Sequence, residues 1–569
     1  MGSMDSSSEP VHQRRIETAT LIAIALLAVA LLWRVVFFLE MYTSPYGNTL
    51  SLDSEVYHEA ALEVAHGRWS PGETFFQAPL YPWALGVVYA VFGPNQTFAK
   101  LLQILLSVAS CWLIYRMAER TFDQTIARTA LAIAAVYGTY MYFANELLAV
   151  TLLVFLDLLG LDILLVAVEG ERQRLWVTAG LVFGISAIAR PTILPFVAAV
   201  GLWVVISGGR SQRLKPAMSS TLLFAAGVAM PILPVTVHNY LADGDFVLIA
   251  SNGGFNFFIG NNPRSDGITA VAPGLRADRR GAQADQDRIA REALGDPEAT
   301  PKDVSDFWYT RGWNWISEEP VAAFRHVARK GLYLINAHEV SNNRVIEFVT
   351  RHSSIFSRAT IRFWMILPLA VAGIVIGGGR GRQKNLLLLF VIVYSATVVS
   401  FFVNSRFRMP MVAVLIVFAA AAVVAWFRWL RSRPLDRQLG MRVFVSVLAA
   451  VATAVLIRPL PALEVADAQA FFNEAEAYRA QGDFAGAARW YRLALEAFPG
   501  YCDAAYNLAR IHAEIQPDPY RVIEVLEPVS DACAEDEALQ DLLIHARSAV
   551  EPRGGNSRSA DSDVPSDDL

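Results

Sequence analysis

Asp53 stands about a dozen residues beyond the first long apolar run and shortly before Ala78-Pro79-Leu80-Tyr81-Pro82. A carboxylate at the edge of a membrane span can take a proton from an incoming hydroxyl, which chemistry on a lipid-borne substrate requires where bilayer meets water. Glu146, in Asn145-Glu146-Leu147-Leu148, lies at the end of a later apolar run. Two carboxylates from successive turns could divide the work, one accepting a proton and one holding an acceptor or a metal ion. Arg406 and Arg408, in Asn404-Ser405-Arg406-Phe407-Arg408-Met409-Pro410, open a further run. A guanidinium fork there would stabilise negative phosphate at the membrane surface. Each residue also has a plainer role. Asp53 suits the cap of a helix beginning near Ser54, Glu146 an interfacial acid facing water, and the arginines snorkelling to lipid headgroups. Arg190-Pro191-Thr192 has a similar character but reads better as a helix break.

The chain that must carry these groups has 569 residues, 54% of them hydrophobic, and a mean hydropathy of +0.36. Its apolar runs are roughly 17 to 25 residues long, the length a bilayer-spanning helix needs. They fall at about 16–39, 97–117, 126–143, 147–168, 175–188, 191–206, 217–240, 361–376, 385–403, 409–427 and 443–457, which predicts about eleven spans. Placing Arg14 and Arg15 inside, with a cytoplasmic tail over 1–15, puts Arg116/Arg120/Arg128, Arg172/Arg174, Arg210/Arg213/Lys215, Arg380/Arg382/Lys384 and Arg428/Arg431/Arg433/Arg437 inside as well. Outer loops then cover about 40–96 and 241–358. This solution requires 80–92, too short for a span and ended by Gly93-Pro94, to be a helix on the outer surface. Trp308, Trp313 and Trp315 read as interfacial anchors ahead of sugar-stacking residues.

After Pro459 and Pro461 the composition turns to alanine-rich, charged helix. Over 464–548 the small/large periodicity of Ala468 to Tyr478, Gly482-Asp483-Phe484 and Ala487 to Phe498 is similar to that of tetratricopeptide repeats. The Ser/Asp/Gly-rich tail, 549–569, is expected to be disordered. Cys502 and Cys533 could pair if that region is extracytoplasmic, and equally could be core thiols. Met1-Gly2-Ser3 before a second methionine, Met4, looks like an expression remnant. A net charge of −5, with no basic stretch interleaved with aromatics, gives nucleic-acid binding no support. Walker, HExxH and GxSxG motifs are absent, so ATP-driven transport, zinc proteolysis and serine hydrolysis lack a motif.

Asp53, Glu55, Tyr57, Ala60/Ala61 and Gly67, followed by Ala78 to Pro82 and Phe92-Gly93-Pro94, resemble the first outer loop of GT-C glycosyltransferases. The nearest branch holds the protein O-mannosyltransferases and the lipid A aminoarabinose transferase. The resemblance implies an all-α polytopic membrane domain over 16–458, followed by the soluble helical repeat-like domain. It implies Asp53 as catalytic base or acceptor-orienting group, Glu146 as the second acid, and Arg406, Arg408 and Lys330 on the donor phosphate. Tyr57, Tyr81, His338 and Glu339 become candidate substrate contacts, as does Glu55, although its position turns it elsewhere on a helix. The run from Asn252 to Pro263, with Asp266-Gly267, is also similar. Its glycines and asparagines suit tight turns, and Asn261 or Asn262 could reach sugar hydroxyls.

The implied donor is a polyprenyl-phosphate sugar, transferred with inversion. The acceptor is a protein, a lipid or a glycan, and a divalent ion is left open because members of the class differ. The implied location is a bacterial inner membrane, with the active site and C-terminal domain outside and the repeats binding a protein partner. Two other classes compete. A non-catalytic scaffold would leave Asp53 and Glu146 dispensable. A polyprenyl-sugar transporter would want ionisable groups at mid-membrane, where the spans carry few, Asp157 and Asp162 being exceptions.

Overall fold

The computed structural model describes residues 9–550 apart from 46, 48, 51, 171, 269–278, 341–345, 433–435, 459–467, 516 and 535, so the expected disordered tail lies almost wholly outside the described residues. The chain divides into two units, 1–466 and 467–569. The first runs α1 (Glu9–Tyr42), α2 (Asp53–Ala65), α3 (Leu80–Phe92), α4 (Gln96–Thr121), α5 (Gln124–Ala135), α6 (Gly138–Asn145), α7 (Val150–Ala167), α8 (Gln173–Ala187), α9 (Leu194–Arg210) and α10 (Leu214–Asp243). It continues with α11 (Gly253–Gly260), α12 (Arg279–Leu294), α13 (Pro301–Glu318), α14 (Pro320–Ile335), α15 (Ile346–His352), α16 (Ser354–Arg358), α17 (Phe363–Ile376), α18 (Gly381–Ser400), α19 (Ser405–Arg431) and α20 (Arg437–Leu456). Among the described residues no strand forms, and an isolated bridge joins Tyr137 to Ile361.

Among the described residues eight helices, α1, α4, α7, α9, α10, α18, α19 and α20, are long and apolar enough to cross a membrane. The other three expected spans are shorter: α5 has 12 residues, α8 has 15 and α17 has 14. At about 1.5 Å per residue, α8 covers roughly 22 Å of a hydrocarbon core about 30 Å thick. The run expected over 126–143 breaks at Val136 and Tyr137. There the backbone leaves the helix to pair with Ile361, Gly138 N donating to its carbonyl (3.0 Å) and Ile361 N donating to Val136 (2.9 Å).

A wholly buried arginine closes the broken end. Arg34 of α1 donates to the carbonyls of Ala135 (2.9 Å) and Ala134 (3.5 Å), the last two residues of α5. The negative end of the helix dipole favours a cation at that point. Arg34 Nε also donates to Ser107 of α4 (2.8 Å), so one side chain ties three helices.

From Met409 to Ala422, α19 is apolar and buried on every face, as a helix without a polar stripe must be, and it forms the centre of the bundle. Small residues let neighbouring backbones approach. A Cβ on Gly180 of α8 would stand 2.2 Å from the Phe224 carbonyl of α10.

The hairpin of α2 and α3 rests on the bundle through a shared core of Ala61, Tyr81, Leu85, Tyr89, Ala99, Leu147 and Leu153. α3 takes up the short run expected to lie outside a span, and exposes Val87, Val91 and Phe92. Of the three tryptophans expected as interfacial anchors, only Trp313 is exposed; Trp308 and Trp315 are buried. Trp308 packs between Phe255 and Phe258, so it holds α13 to α11 instead.

The second unit consists of helices Ala468–Arg479, Phe484–Ala497, Cys502–Arg510, Pro519–Leu526 and Glu537–Val550. Ala505, Ala509, Val522, Leu526, Leu539 and Leu543 form its core. A disulfide joins Cys502 to Cys533. Glu476 gathers the first helices, accepting from Tyr491 Oη and from Asn507 Nδ2.

Candidate active site

α2 begins at Asp53 itself, the preceding Leu52 occupying the N-cap with φ 51°. A leucine adopts that left-handed φ only where its surroundings force it. The Asp53 carboxylate pairs with Arg406, although 353 positions separate the two, and both side chains are buried. Arg406 is the second residue of α19, whose N-cap Asn404 accepts from Phe407 N at 3.2 Å. Cations in the first turn of a helix oppose its dipole, so tertiary contacts keep Arg406 there.

The pair faces a cavity of about 360 Å³, within the range of small-ligand sites. Arg190 lines the same cavity. Its guanidinium lies 4.4 Å from the Phe407 ring centroid and that of Arg406 lies 4.8 Å from it, so one aromatic ring carries two cations. Burial, and then the like charge of Arg406, lower the pKa of Arg190. Tyr57 of α2, Gln77, Thr192, Asn252, Asn256 and Tyr309 of α13 supply further polar lining. With one carboxylate against two guanidiniums, the cavity favours an anion. Arg406 Nε and Asn404 Nδ2 are buried donors with no acceptor among the described residues. A helix N-terminus with arginine beside it is a site where an anion supplies such acceptors.

Glu146 does not share this cavity. It lines a narrow crevice with Lys100, Asn145 and Tyr42. The two are linked through side chains: Gln103 donates to the Glu146 carbonyl (2.8 Å) and accepts from Tyr81 Oη (2.9 Å), and Tyr81 stands edge-on to Tyr57 with centroids 5.0 Å apart. Glu55 is exposed, away from Asp53.

Arg408 points away from the cavity as well. Two residues apart on a helix means about 200° of rotation, so Arg406 and Arg408 cannot reach one ligand from the same face. Arg408 bridges Glu339 at 2.7 Å, donates to the carbonyls of Leu334 (3.2 Å) and Asn336 (3.0 Å), and lies over Phe363. Glu339, expected at an acceptor cavity, is the other half of this buried pair and also accepts from Thr139. His338 beside it is half-buried, its backbone N–H donating to Asn336.

Lys330 is fully buried, and its three N–H bonds find three oxygens: Gly260 O (2.9 Å), Asn261 Oδ1 (3.1 Å) and Phe401 O (2.7 Å). Burial, with help from Arg329, pushes its pKa down to about 7. No donor remains for a phosphate. Asn261 is consumed by this lysine and by the carbonyls of Phe257 and Ser400. Asn262 turns back on Phe258, Ile259 and Arg264. Both shape the loop, while Asn252 and Asn256 of the same segment face the cavity.

Sequence reasoning thus missed Phe407 and set Arg190 aside. The Arg190-Pro191 pair is indeed a helix break, with a short 3-10 turn over Pro191–Ile193, and that break is what aims the arginine at the cavity. A fixed cation beside a proline, at the same end of the bundle as Asp53, was the available signal.

Residues 76–238 match the sequence profile of the family described as dolichyl-phosphate-mannose-protein mannosyltransferase. No curated protein matches. Among solved structures, the archaeal oligosaccharyltransferase AglB from Archaeoglobus fulgidus, in complex with an inhibitory peptide and a dolichol-phosphate, matches with TM-score 0.43 and 16% identity, over 81% of this chain and 59% of that one. ArnT from Cupriavidus metallidurans, bound to undecaprenyl phosphate, matches with TM-score 0.33 and 16% identity, over 77% of this chain and 89% of that one. The chain therefore spans little more than half the length of the oligosaccharyltransferase. It is a multi-pass membrane protein whose first unit is a helical bundle, similar through residues 76–238 to the family described as dolichyl-phosphate-mannose-protein mannosyltransferase.

Proposed function

We propose that this protein is a membrane glycosyltransferase that moves a sugar from a polyprenyl-phosphate donor to a hydroxyl acceptor at the Asp53 cavity. The observation that carries the reading is the convergence of Asp53, Arg406 and Arg190 on one cavity. Arg406 and Arg190 hold the donor phosphate, and Asp53 orients the acceptor or takes its proton. Asp53 is paired with Arg406. Phosphate oxygens that take over the guanidinium release the carboxylate for its task. The acceptor oxygen then bonds to the anomeric carbon, the bond from that carbon to the phosphate oxygen breaks, the phosphate leaves with its electron pair, and the proton passes to Asp53. Such a single displacement inverts the anomeric centre.

Arg408, Glu339, Lys330, Asn261 and Asn262 serve this reading as the frame behind the cavity. Glu146 and Tyr81 support Tyr57 on its wall. Asp53 flanked by two guanidiniums is a poor donor set for a divalent cation. We place the protein in a bacterial inner membrane with the cavity outside, and the second unit as a surface for a protein partner.

Incubating purified protein with a panel of polyprenyl-phosphate sugars tests the proposal. Transfer by the wild type should be lost in both Asp53→Asn and Arg406→Ala. Undiminished turnover in Asp53→Asn overturns its role as base, and no turnover with any donor favours a scaffold.

A further inference from the structure

α14 (Pro320–Ile335) is amphipathic in the reverse of the usual sense. A surface helix of a water-soluble protein turns its apolar stripe to the core. Here Ala323, His326, Lys330 and Tyr333 face inward, and His326 hydrogen-bonds to Gly260 O (3.0 Å) beside the bonds of Lys330. Val321, Phe324, Ala328 and Leu332 face outward. At about 100° per residue these four fall within an arc of about 80° on the opposite side of the helix. Phe324 is 74% exposed, Val321 63% and Leu332 44%, and a contiguous apolar stripe of this kind marks an interaction surface.

The position of the helix says what covers it. Lys330 Nζ reaches Phe401 O (2.7 Å) in the turn between α18 and α19, and both of those helices are long and apolar enough to cross a membrane. α14 therefore packs where two spans end, at the level of lipid headgroups. Its 16 residues extend roughly 24 Å, short of the hydrocarbon thickness. A helix with one apolar side at that level lies in the plane of the interface, its stripe against acyl chains.

The charges beside the stripe have one sign. Pro320 to Ile335 contains no acidic residue. Arg325 and Arg329 are exposed along one edge, and Arg329 donates to Ser265 O (2.9 Å), which brings the turn bearing the exposed Arg264 against the helix. Asp266 opposes them in that turn, while Glu318 and Glu319 lie before the helix, roughly 10 Å along the axis from Arg325.

We infer that α14 is an interfacial helix whose apolar stripe sits in the bilayer and whose Arg325 and Arg329 hold anionic phospholipid headgroups.

Fluorescence quenching on the full chain, in nanodiscs of phosphatidylcholine and phosphatidylglycerol, tests this with bimane on Ala328→Cys. Cys111 is buried and Cys502 is bonded to Cys533, so the label goes to one site. Val321→Cys gives a second reporter on the same stripe. Bromine on the acyl chains of either lipid should quench both labels. Moving the bromine from one lipid to the other should reveal a local preference of about tenfold for phosphatidylglycerol. Arg325→Gln, which alters an exposed side chain, should lower that preference about fivefold, the worth of one basic residue at a lipid surface. Labels that neither lipid quenches overturn the assignment, because the stripe then meets water or another protein. So does a preference near unity in the wild type, or one that Arg325→Gln leaves unchanged.

Discussion

Replacing Asp53 with asparagine keeps the side chain's shape and removes its charge, and two consequences of opposite sign follow. The carboxylate pairs with Arg406. A hydrogen bond to a charged group is worth about 1.5–3 kcal/mol net, and incoming phosphate has to displace it. Asp53→Asn removes that competitor and leaves Arg406 and Arg190 facing the ligand across Phe407. A polyprenyl phosphate without sugar should then bind about 10- to 100-fold more tightly. Sugar transfer should fall by about 10²- to 10⁴-fold, the usual worth of a positioned base. The variant thus gains affinity while losing kcat, a combination that general unfolding cannot produce. Equilibrium binding of the lipid phosphate and single-turnover transfer, on one preparation, read both quantities. Weaker lipid-phosphate binding with kcat unchanged would refute the reasoning, because Asp53 would then be a donor ligand and not the competitor of one.

Stability of the wild type relative to Lys330→Met should rise between pH 7 and 9. The unfolded lysine keeps its proton there while the buried one, with a pKa of about 7, releases it. The gain approaches about 1.4 kcal/mol per pH unit in thermal unfolding, and a flat difference would mean that the three oxygens hold the ammonium charged. Gly86→Ala puts a Cβ 2.5 Å from that of Val64, which should force α2 from α3 at a cost of about 1–3 kcal/mol and slow transfer by moving Asp53. Adding Val64→Gly, which removes both carbons the new methyl meets, should recover part of the Tm and the rate, and failure of the double variant to recover would place the effect elsewhere. Reducing the Cys502–Cys533 bond, which closes a loop of 31 residues, should destabilise the second unit by about 3–4 kcal/mol in denaturant unfolding with and without dithiothreitol.

Hydropathy carried the membrane helices because burial in lipid and burial in protein demand the same apolar run. It therefore could not separate spans from α5, α8 and α17, whose lengths are set by close packing and by the break at Tyr137. Asp53 and Arg406 were legible because each contradicts its local setting, a charge at a membrane edge and a cation at a helix N-terminus. Arg408 fits the same description, and only the rotation of α19 tells it from Arg406. Lys330, Asn261 and Asn262 were chosen by residue type, yet type does not reveal whether hydrogen-bonding capacity is already spent inside the fold. Whether the two cysteines meet depended on helix packing across the intervening loop, which spacing alone leaves open.

The Arg34 clamp sets an order on biogenesis. Its most distant oxygen belongs to Ala135, 101 positions later in the chain. At about 5–20 residues per second, ribosomes need roughly 5–20 s to supply it. Throughout that interval the first helix carries an arginine with an insertion penalty of about 2.5–3.5 kcal/mol. Its strongly apolar flanks, mean hydropathy 2.7, have to hold it in the bilayer until α4 and α5 arrive. Translation speed and the insertion machinery thereby become determinants of the yield of folded protein.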